Sequence, residues 1–245
     1  MIRLAEYQSP FGVITILKKK RTGSLSYNQG GFVQSEADGN NVSLASYIHA
    51  IHGLLCQSKS QTVLMIGCGG GTLATMLSKN GRDVTVVDVN PDAFILAREY
   101  FGLPNGVTCH VADGCEFLLT DTRKYDAIVV DAFAGDHIPA HIRSLAFFRM
   151  ARTRLKQRGC IFVNVHVTDD LDSAPDQMST TMANVWPVVR LLDAQGYANR
   201  NAIVMAGGVL RLSKPALEIP PQISADEIDA ELQTLQFRPW RTQDT

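Results

Sequence analysis

The stretch Thr62–Asn80, "TVLMIGCGGGTLATMLSKN", decides the fold. Its first five residues form a short apolar run closed off by glycine, which reads as a buried strand. Gly67, Gly69 and Gly71 then make a strand-to-helix turn, and "TLATMLSKN" continues as a helix. Glycine at such a turn permits positive φ and lets a ligand come close to the main chain. A strand, a glycine turn and a helix make the first half of a βαβ unit.

The alternation continues downstream. "VTVVD", "PDAFILAREYF", "VTCHV", "CEFLLT" and "YDAIVVD" read as strand, helix, strand, short helix and strand. A long helical stretch follows from Pro139 to Gln157, then the strand "CIFVNVHV" and a helix around Met182 to Ala194. Two closing strands, "NAIVMA" and "GVLRLS", joined through Gly207 and Gly208, are expected as an antiparallel hairpin on the sheet edge. Apolar strands separated by helices imply a mostly parallel sheet covered on both faces, a Rossmann-like α/β fold.

Upstream, the runs "GVITIL", "SLSYNQ" and "GFVQSE" are punctuated by glycine, asparagine and serine, as in a small antiparallel sheet. Near Ser43 the period becomes helical, with Leu44, Tyr47, Ile48, Ile51 and Leu55 on one face. After Lys214 a proline-rich tail offers "SADEIDAELQTLQF", where Ser224 and Glu227 have capping-box spacing ahead of a helix expected to dock. The expected organisation is an N-terminal β domain with its linking helix over 1–58, a Rossmann-like domain over 59–213 and a C-terminal tail over 214–245.

A formal net charge of -1 over 245 residues gives no electrostatic reason for a nucleic-acid or membrane partner. The basic run Lys18–Arg21 reads as a solvated hairpin end. Five cysteines, odd in number and without Cys-x-x-Cys pairs, suit buried thiols in a reducing compartment better than disulfides or zinc. No apolar run reaches bilayer length and the first residues lack signal-peptide order, so the cytoplasm is the expected location and no metal is expected.

Asp88 ends the next strand about twenty residues beyond the glycine turn, where a carboxylate can accept from both ribose hydroxyls. Asp113, followed by Gly114, ends the third strand, and Asp131 ends the fourth. Aspartate is also common after strands as a turn former and helix cap. Combined with the glycine turn, the row of strand-end acids points to a nucleoside. A dinucleotide fingerprint wants another glycine at the position of Thr72. The spacing found instead resembles the site for sulfonium nucleosides of the S-adenosylmethionine type, with NAD the trailing alternative.

These segments together, roughly Tyr7 to Val165, resemble the polyamine aminopropyltransferases, the spermidine synthase family. "GGFVQSEADG" is similar to that family's "DG-x-x-Q" hairpin, which places Gln34 at a ligand-contacting glutamine. "LASYIHAIHGLL" resembles its tyrosine-bearing helix, with Tyr47 at the active-site tyrosine. "VVDVNPDAF" puts Asp88 at the ribose-binding acid, and "VADGCEFL" puts Asp113 at the adenine contact. "YDAIVVDAFAGDHIPAHI" puts Asp131 at the general base. The chain departs from the family at three places: Gly70 stands where an aspartate contacts the donor's amine, Ala134 where a second acid follows the base, and Ile48 where a polar acceptor-side residue follows the tyrosine. Asp136, two residues past Ala134, is a candidate substitute on the substrate side.

The resemblance implies an α/β fold with a small N-terminal β domain, a homodimer, and aminopropyl transfer from decarboxylated S-adenosylmethionine to a small amine such as a putrescine-like diamine. Asp131 would be the base and Tyr47 its partner. Gln34, Gly67, Gly69, Gly71, Asp88, Asp113 and Gly114 would hold the nucleoside. Two alternatives stand beside it: a methyltransferase using S-adenosylmethionine on the same scaffold, with the loss of an acid at Gly70 making room for a carboxylate tail, and a nucleoside-binding regulator without catalysis. His137 reads as a loop histidine, His49 or His52 as a neighbour of Tyr47 that could line the pocket, and Trp186 and Trp240 as packing groups. Asp169, Asp170 and Asp172 read either as a site for a distal ammonium or as a solvated loop and helix cap.

Overall fold

A computed structural model describes residues 1–135 and 137–241. The chain opens with an antiparallel meander of β1 (Ile2–Ser9), β2 (Gly12–Lys18), β3 (Leu25–Gln29) and β4 (Phe32–Ala37), hydrogen-bonded in that order. The basic run forms the exposed link from β2 to β3, where Lys19 pairs with Glu36. Helix α1 (Ser46–Gln57) leads on from the meander.

The alternating segment then runs β5 (Thr62–Ile66), α2 (Thr72–Lys79), β6 (Asp83–Asp88), α3 (Pro91–Phe101), β7 (Thr108–Val111), α4 (Gly114–Thr120), β8 (Tyr125–Val130), α5 (Leu145–Arg154), β9 (Leu155–Val167), α6 (Ala174–Ala183), β10 (Val189–Asp193), β11 (Arg200–Gly207), α7 (Ala225–Thr234) and β12 (Gln236–Arg238). The second sheet has the order β12-β10-β11-β9-β8-β5-β6-β7. Strands β9, β8, β5, β6 and β7 are parallel, and β11, β10 and β12 extend the sheet antiparallel. From β5 the chain moves outward through β6 and β7, then returns to place β8 on the other side. That reversal is the switch point where open α/β sheets leave a crevice at the carboxyl ends of their strands.

Strand periodicity sends alternate side chains to opposite faces. Val63, Met65, Ala127 and Val129 enter one core with α1, α2 and α7, while Leu64, Ile66, Ile128 and Val130 enter the other with α4, α5 and α6. Both faces are covered, as continuous apolar strands require. No helix among the described residues is long and apolar enough to cross a membrane.

The carboxyl-terminal half differs from expectation in four ways. The helix expected around Met182 to Ala194 stops at Ala183, and Val189–Asp193 is a strand. Pro187 disfavours helical geometry in the residue before it, and an apolar run as short as "VVRLLD" fits a strand equally well. The antiparallel hairpin is therefore β10 with β11, and "GVLRLS" is no strand. Helix α5 is also shorter than expected: Ser144 caps it by accepting from the Phe147 N–H at 3.1 Å, and Leu155 already belongs to β9. Finally, Ser224 has φ of 58° and makes no side-chain cap, so the capping box does not form, although α7 does dock, burying Ile228 and Leu232.

Candidate functional site

Two clefts meet at the end of β8. The first, about 430 Å³, lies over the glycine turn and is bordered by Gly67, Gly69, Asp88, Asp113, Gly114 and Asp131, with Gln34 reaching in from β4. Gly67 has φ of +100°, and a Cβ there would fall 2.1 Å from the Asp131 carbonyl oxygen, so only glycine lets β5 and β8 end so close together. Gly71 does not reach this cleft. It precedes α2 with φ of +67° and lies against Ala97 and Leu103, a packing role.

Asp88 is held by its own strand end. Its carboxylate accepts from the Cys68 N–H at 2.7 Å and the Asn90 N–H at 2.8 Å. Burial pushes its pKa up, against the pull of those two amides. A carboxylate has about four lone-pair positions, so about two remain for a diol. Beside it Asn90, 2% exposed, caps α3 through Oδ1 by accepting from Asp92 N–H at 3.1 Å, while its Nδ2 has no partner among the described residues. Asn90 borders the same cleft and was missed at the level of sequence, where it reads only as a cap before Pro91.

Asp113 caps α4, accepting from Cys115 N–H at 2.8 Å and Glu116 N–H at 3.3 Å, and its other oxygen meets His141 Nε2 at 2.8 Å. Burial raises its pKa, but the His141 contact and the two amides outweigh it and leave the carboxyl below the usual range. Asp113, Cys115 and His141 bring ligand-type atoms within 4.8 Å of one another. Burial first, and then the Asp113 charge, push the Cys115 thiol up to about 11, which keeps it protonated near neutrality. His141 has no sequence signal of its own.

The second cleft, about 400 Å³, opens on the far side of Asp131 and is bordered by Gln34, Tyr47, Asn164, His166, Asn199 and Asn201. The Tyr47 hydroxyl donates to Asp131 Oδ2 at 3.2 Å, and Asn164 Nδ2 donates to Oδ1 at 2.8 Å. Burial pushes the Asp131 carboxyl up, and the two donors only partly offset it. Burial and the adjacent Asp131 charge hold Tyr47 well above its ordinary value, so it stays a donor. A third cavity, about 470 Å³, adjoins this cleft at Phe133 and His166.

Sequence reasoning thus placed Gln34, Gly67, Gly69, Asp88, Asp113, Gly114, Asp131 and Tyr47 at one location, and they are together. Asp136 lies outside the described residues. Neither His49 nor His52 lines a cleft: His49 Nε2 meets the Ser43 carbonyl at 2.8 Å, and burial, with the Arg82 charge second, pulls His52 down to about 4. Trp186 packs edge-on to Phe148. Asp172 caps the chain at Thr168 N–H and Ala174 N–H, and Asp170 pairs with Arg200 at 2.9 Å, so the acidic loop is a cap and clasp. The space at Gly70 is not open either. A Cβ there would lie 2.9 Å from the Ser35 Cβ and 3.2 Å from the Phe101 ring, and the Gly70 N–H donates to Ser35 Oγ at 2.9 Å. Serine on β4 thereby fills the room that a carboxylate tail was expected to gain.

A Methyltransferase domain family matches residues 63–159. A probable polyamine aminopropyl transferase of Bifidobacterium longum is 32% identical over 130 residues, covering 52% of this chain and 29% of that protein. An N-terminal histidine N-methyltransferase of Emericella nidulans is 28% identical over 150 residues, 59% of this chain and 26% of that protein. The match thus spans less than a third of either relative. The crystal structure of a probable spermidine synthase from Corynebacterium glutamicum superposes with a TM-score of 0.78 at 21% identity, covering 96% of this chain and 90% of that one. The superposition and the matched segment give the chain a methyltransferase-like Rossmann fold. Over the matched segment the chain is similar to the polyamine aminopropyltransferases, and over nearly its whole length it shares the fold of the probable spermidine synthase.

Proposed function

We propose that the chain transfers an alkyl group from a sulfonium nucleoside of the S-adenosylmethionine type to an amine, by preference the aminopropyl group of decarboxylated S-adenosylmethionine to a putrescine-like diamine. One observation carries this reading: a partly buried carboxylate, Asp131, stands in the wall shared by two clefts, with Tyr47 donating to one of its oxygens and Asn164 to the other. Asp88 would take the ribose hydroxyls and Asp113 the base, with Gln34 spanning the junction. Nucleoside binding alone has no use for an acid so placed, which disfavours a regulator without catalysis.

An alkylammonium has a pKa of about 10 and cannot attack until it loses a proton. Asp131, made more basic by burial, accepts that proton, with Tyr47 and Asn164 fixing the direction of its lone pairs. The freed nitrogen pair attacks the methylene beside the sulfonium. The carbon–sulfur bond breaks with its electrons passing to sulfur, which leaves a neutral thioether nucleoside. Alignment of the two clefts supplies rate because the leaving group is already activated.

The second reading is methyl transfer from S-adenosylmethionine itself. The methyltransferase-domain match and the histidine N-methyltransferase relative support it, while Ser35, filling the space at Gly70, removes the room a carboxylate tail was expected to gain there. Thermal stabilisation by S-adenosylmethionine, its decarboxylated form and methylthioadenosine, measured in parallel, separates the readings. Preference for the decarboxylated form is expected; preference for the carboxylated form transfers the case to methylation, and no stabilisation by any of them sinks both. A homodimer in the cytoplasm belongs to the same proposal. Sedimentation would test the dimer.

A further inference from the structure

Asn164 is 1% exposed and sits in a strand where its neighbours are apolar. Phe162, on the same face of β9, packs into the core, as does Ile203 directly across in β11. An amide at such a position costs stability unless its polar atoms are paired. Both are paired. Nδ2 donates to Asp131 Oδ1 at 2.8 Å, and Oδ1 accepts from Asn201 Nδ2 at 2.9 Å. Asn201 pairs in register with His166, two residues along from Asn164, so the two asparagines meet diagonally across the β9–β11 ladder.

We propose that Asn164 and Asn201 are positioning residues forming a one-way amide relay, Asn201 to Asn164 to Asp131, whose direction holds Asp131 as a proton acceptor. The proposal rests on Asp131 being the base. An ionised carboxylate can only accept, so Asn164 must turn its NH2 toward it. The Asn164 oxygen then faces Asn201, which must in turn present its own NH2. Reversing the relay needs both amides to flip and Asp131 to become the donor, that is, to be protonated. The relay therefore has two states, and they differ by the proton on Asp131.

Other groups around Asp131 leave this role open. Among the described residues, the titratable side chains facing it are Tyr47 from α1, Cys68 from the glycine turn, His166 from β9 and, across the nucleoside cleft, Asp88, Asp113 and His141. Tyr47 donates in its neutral form, and burial with the Asp88 charge keeps the Cys68 thiol protonated. Among the described residues, neither cleft is bordered by a lysine or an arginine. The ionised form of Asp131 is thus supported by neutral donors, of which Asn164 makes the shorter bond.

The test is the carboxyl carbon resonance of Asp131 followed against pH in the whole chain and assigned by its loss in Asp131→Asn. Asn201→Asp leaves Asp131 and Asn164 in place but supplies an acceptor where the relay needs a donor, drawing the Asn164 NH2 away from Asp131. It should raise the Asp131 midpoint by about one pH unit, a tenfold change in proton affinity. Asn199→Asp adds the same charge to the same cleft outside the relay and should move the midpoint by less than half as much. Asn201→Ala, uncharged, should still move it upward. Equal shifts from the two aspartate variants, or no shift in Asn201→Ala, overturn the relay. Because the resonance is read without turnover, a chain that failed to alkylate any amine would refute the proposed activity and still report on the relay.

Discussion

The two clefts share Asp131 and the glycine turn and differ in what else they draw on. The nucleoside cleft is made from strand ends and main chain that follow one another in sequence: the turn at Gly67 and Gly69, Asp88, Asp113 with Gly114, then Asp131. The cleft proposed for the acceptor adds side chains from β4, α1, β9 and β11, segments far apart in sequence. On the proposed reading, donor recognition is therefore set largely by the fold itself. Acceptor recognition depends on a handful of side chains that can change while the fold stays as it is.

The sharpest way to break this contrast is to alter Asp131, the carboxylate that borders both clefts. Asp131→Asn should lower turnover by about 10²- to 10⁴-fold, the usual contribution of a positioned base. Thermal stabilisation by methylthioadenosine should be unchanged, because the nucleoside contacts stay. A variant that loses nucleoside binding along with turnover would mean that the clefts are a single site. The reverse pattern is expected of Asp88→Asn. Losing a charged acceptor for the ribose hydroxyls costs about 1.5–3 kcal/mol, roughly a 10- to 100-fold loss of nucleoside affinity by calorimetry, with saturated turnover much less affected.

Gly70→Asp asks whether the family's donor-side acid could be restored. The new side chain would meet Ser35 and Phe101 at contact distances that demand movement. A loss of about 1–3 kcal/mol in urea unfolding is expected, as for other overpacked sites, without any gain in preference for the decarboxylated donor. A variant of unchanged stability that gains that preference would show that β4 can yield, and that the chain departs from its relatives less than the packing says.

The same contrast explains what the sequence allowed to be read. Glycines with positive φ and acids at strand ends announce themselves locally, because each serves a turn that its own neighbours define. Asn164 carried a signal too, a lone amide inside "CIFVNVHV", but its meaning needed Asn201 and Asp131, which only the β9–β11 and β8–β9 pairings bring near. Asn90 was not singled out in the sequence, and its Nδ2, without a partner among the described residues, shows only in three dimensions. Ser35 shares the hairpin that supplied Gln34, yet nothing local says that its hydroxyl fills the space at Gly70. Strand β10 was misread because an apolar run after Pro187 fits two periods, and the tie is broken by pairing with β11 and β12.

The smallest expected effects concern stability, and their signs separate the two kinds of acid. Burial raises the pKa of Asp131 in the folded chain. A group raised on folding contributes stability that is fully present below its ordinary carboxylate range and is lost as pH climbs through the raised value. Asp131→Asn should therefore be the more stable protein near neutrality, by up to about 1 kcal/mol, and the advantage should vanish in acid. Asp113 runs the other way. Burial is outweighed there by His141 and the two cap amides, so its folded pKa is low and its contribution is present above the ordinary range and lost as pH falls through the lowered value. Asp113→Asn should be less stable near neutrality by about 0.5 kcal/mol, with the deficit closing in acid. Urea unfolding of both variants and the wild type from pH 3 to pH 7, about the range the carboxylates cover, reads both signs in one experiment. If Asp131→Asn were destabilised near neutrality, Asp131 would be a structural acid satisfied by its neighbours like Asp113, and the case for a base held ready in the wall between two clefts would fail.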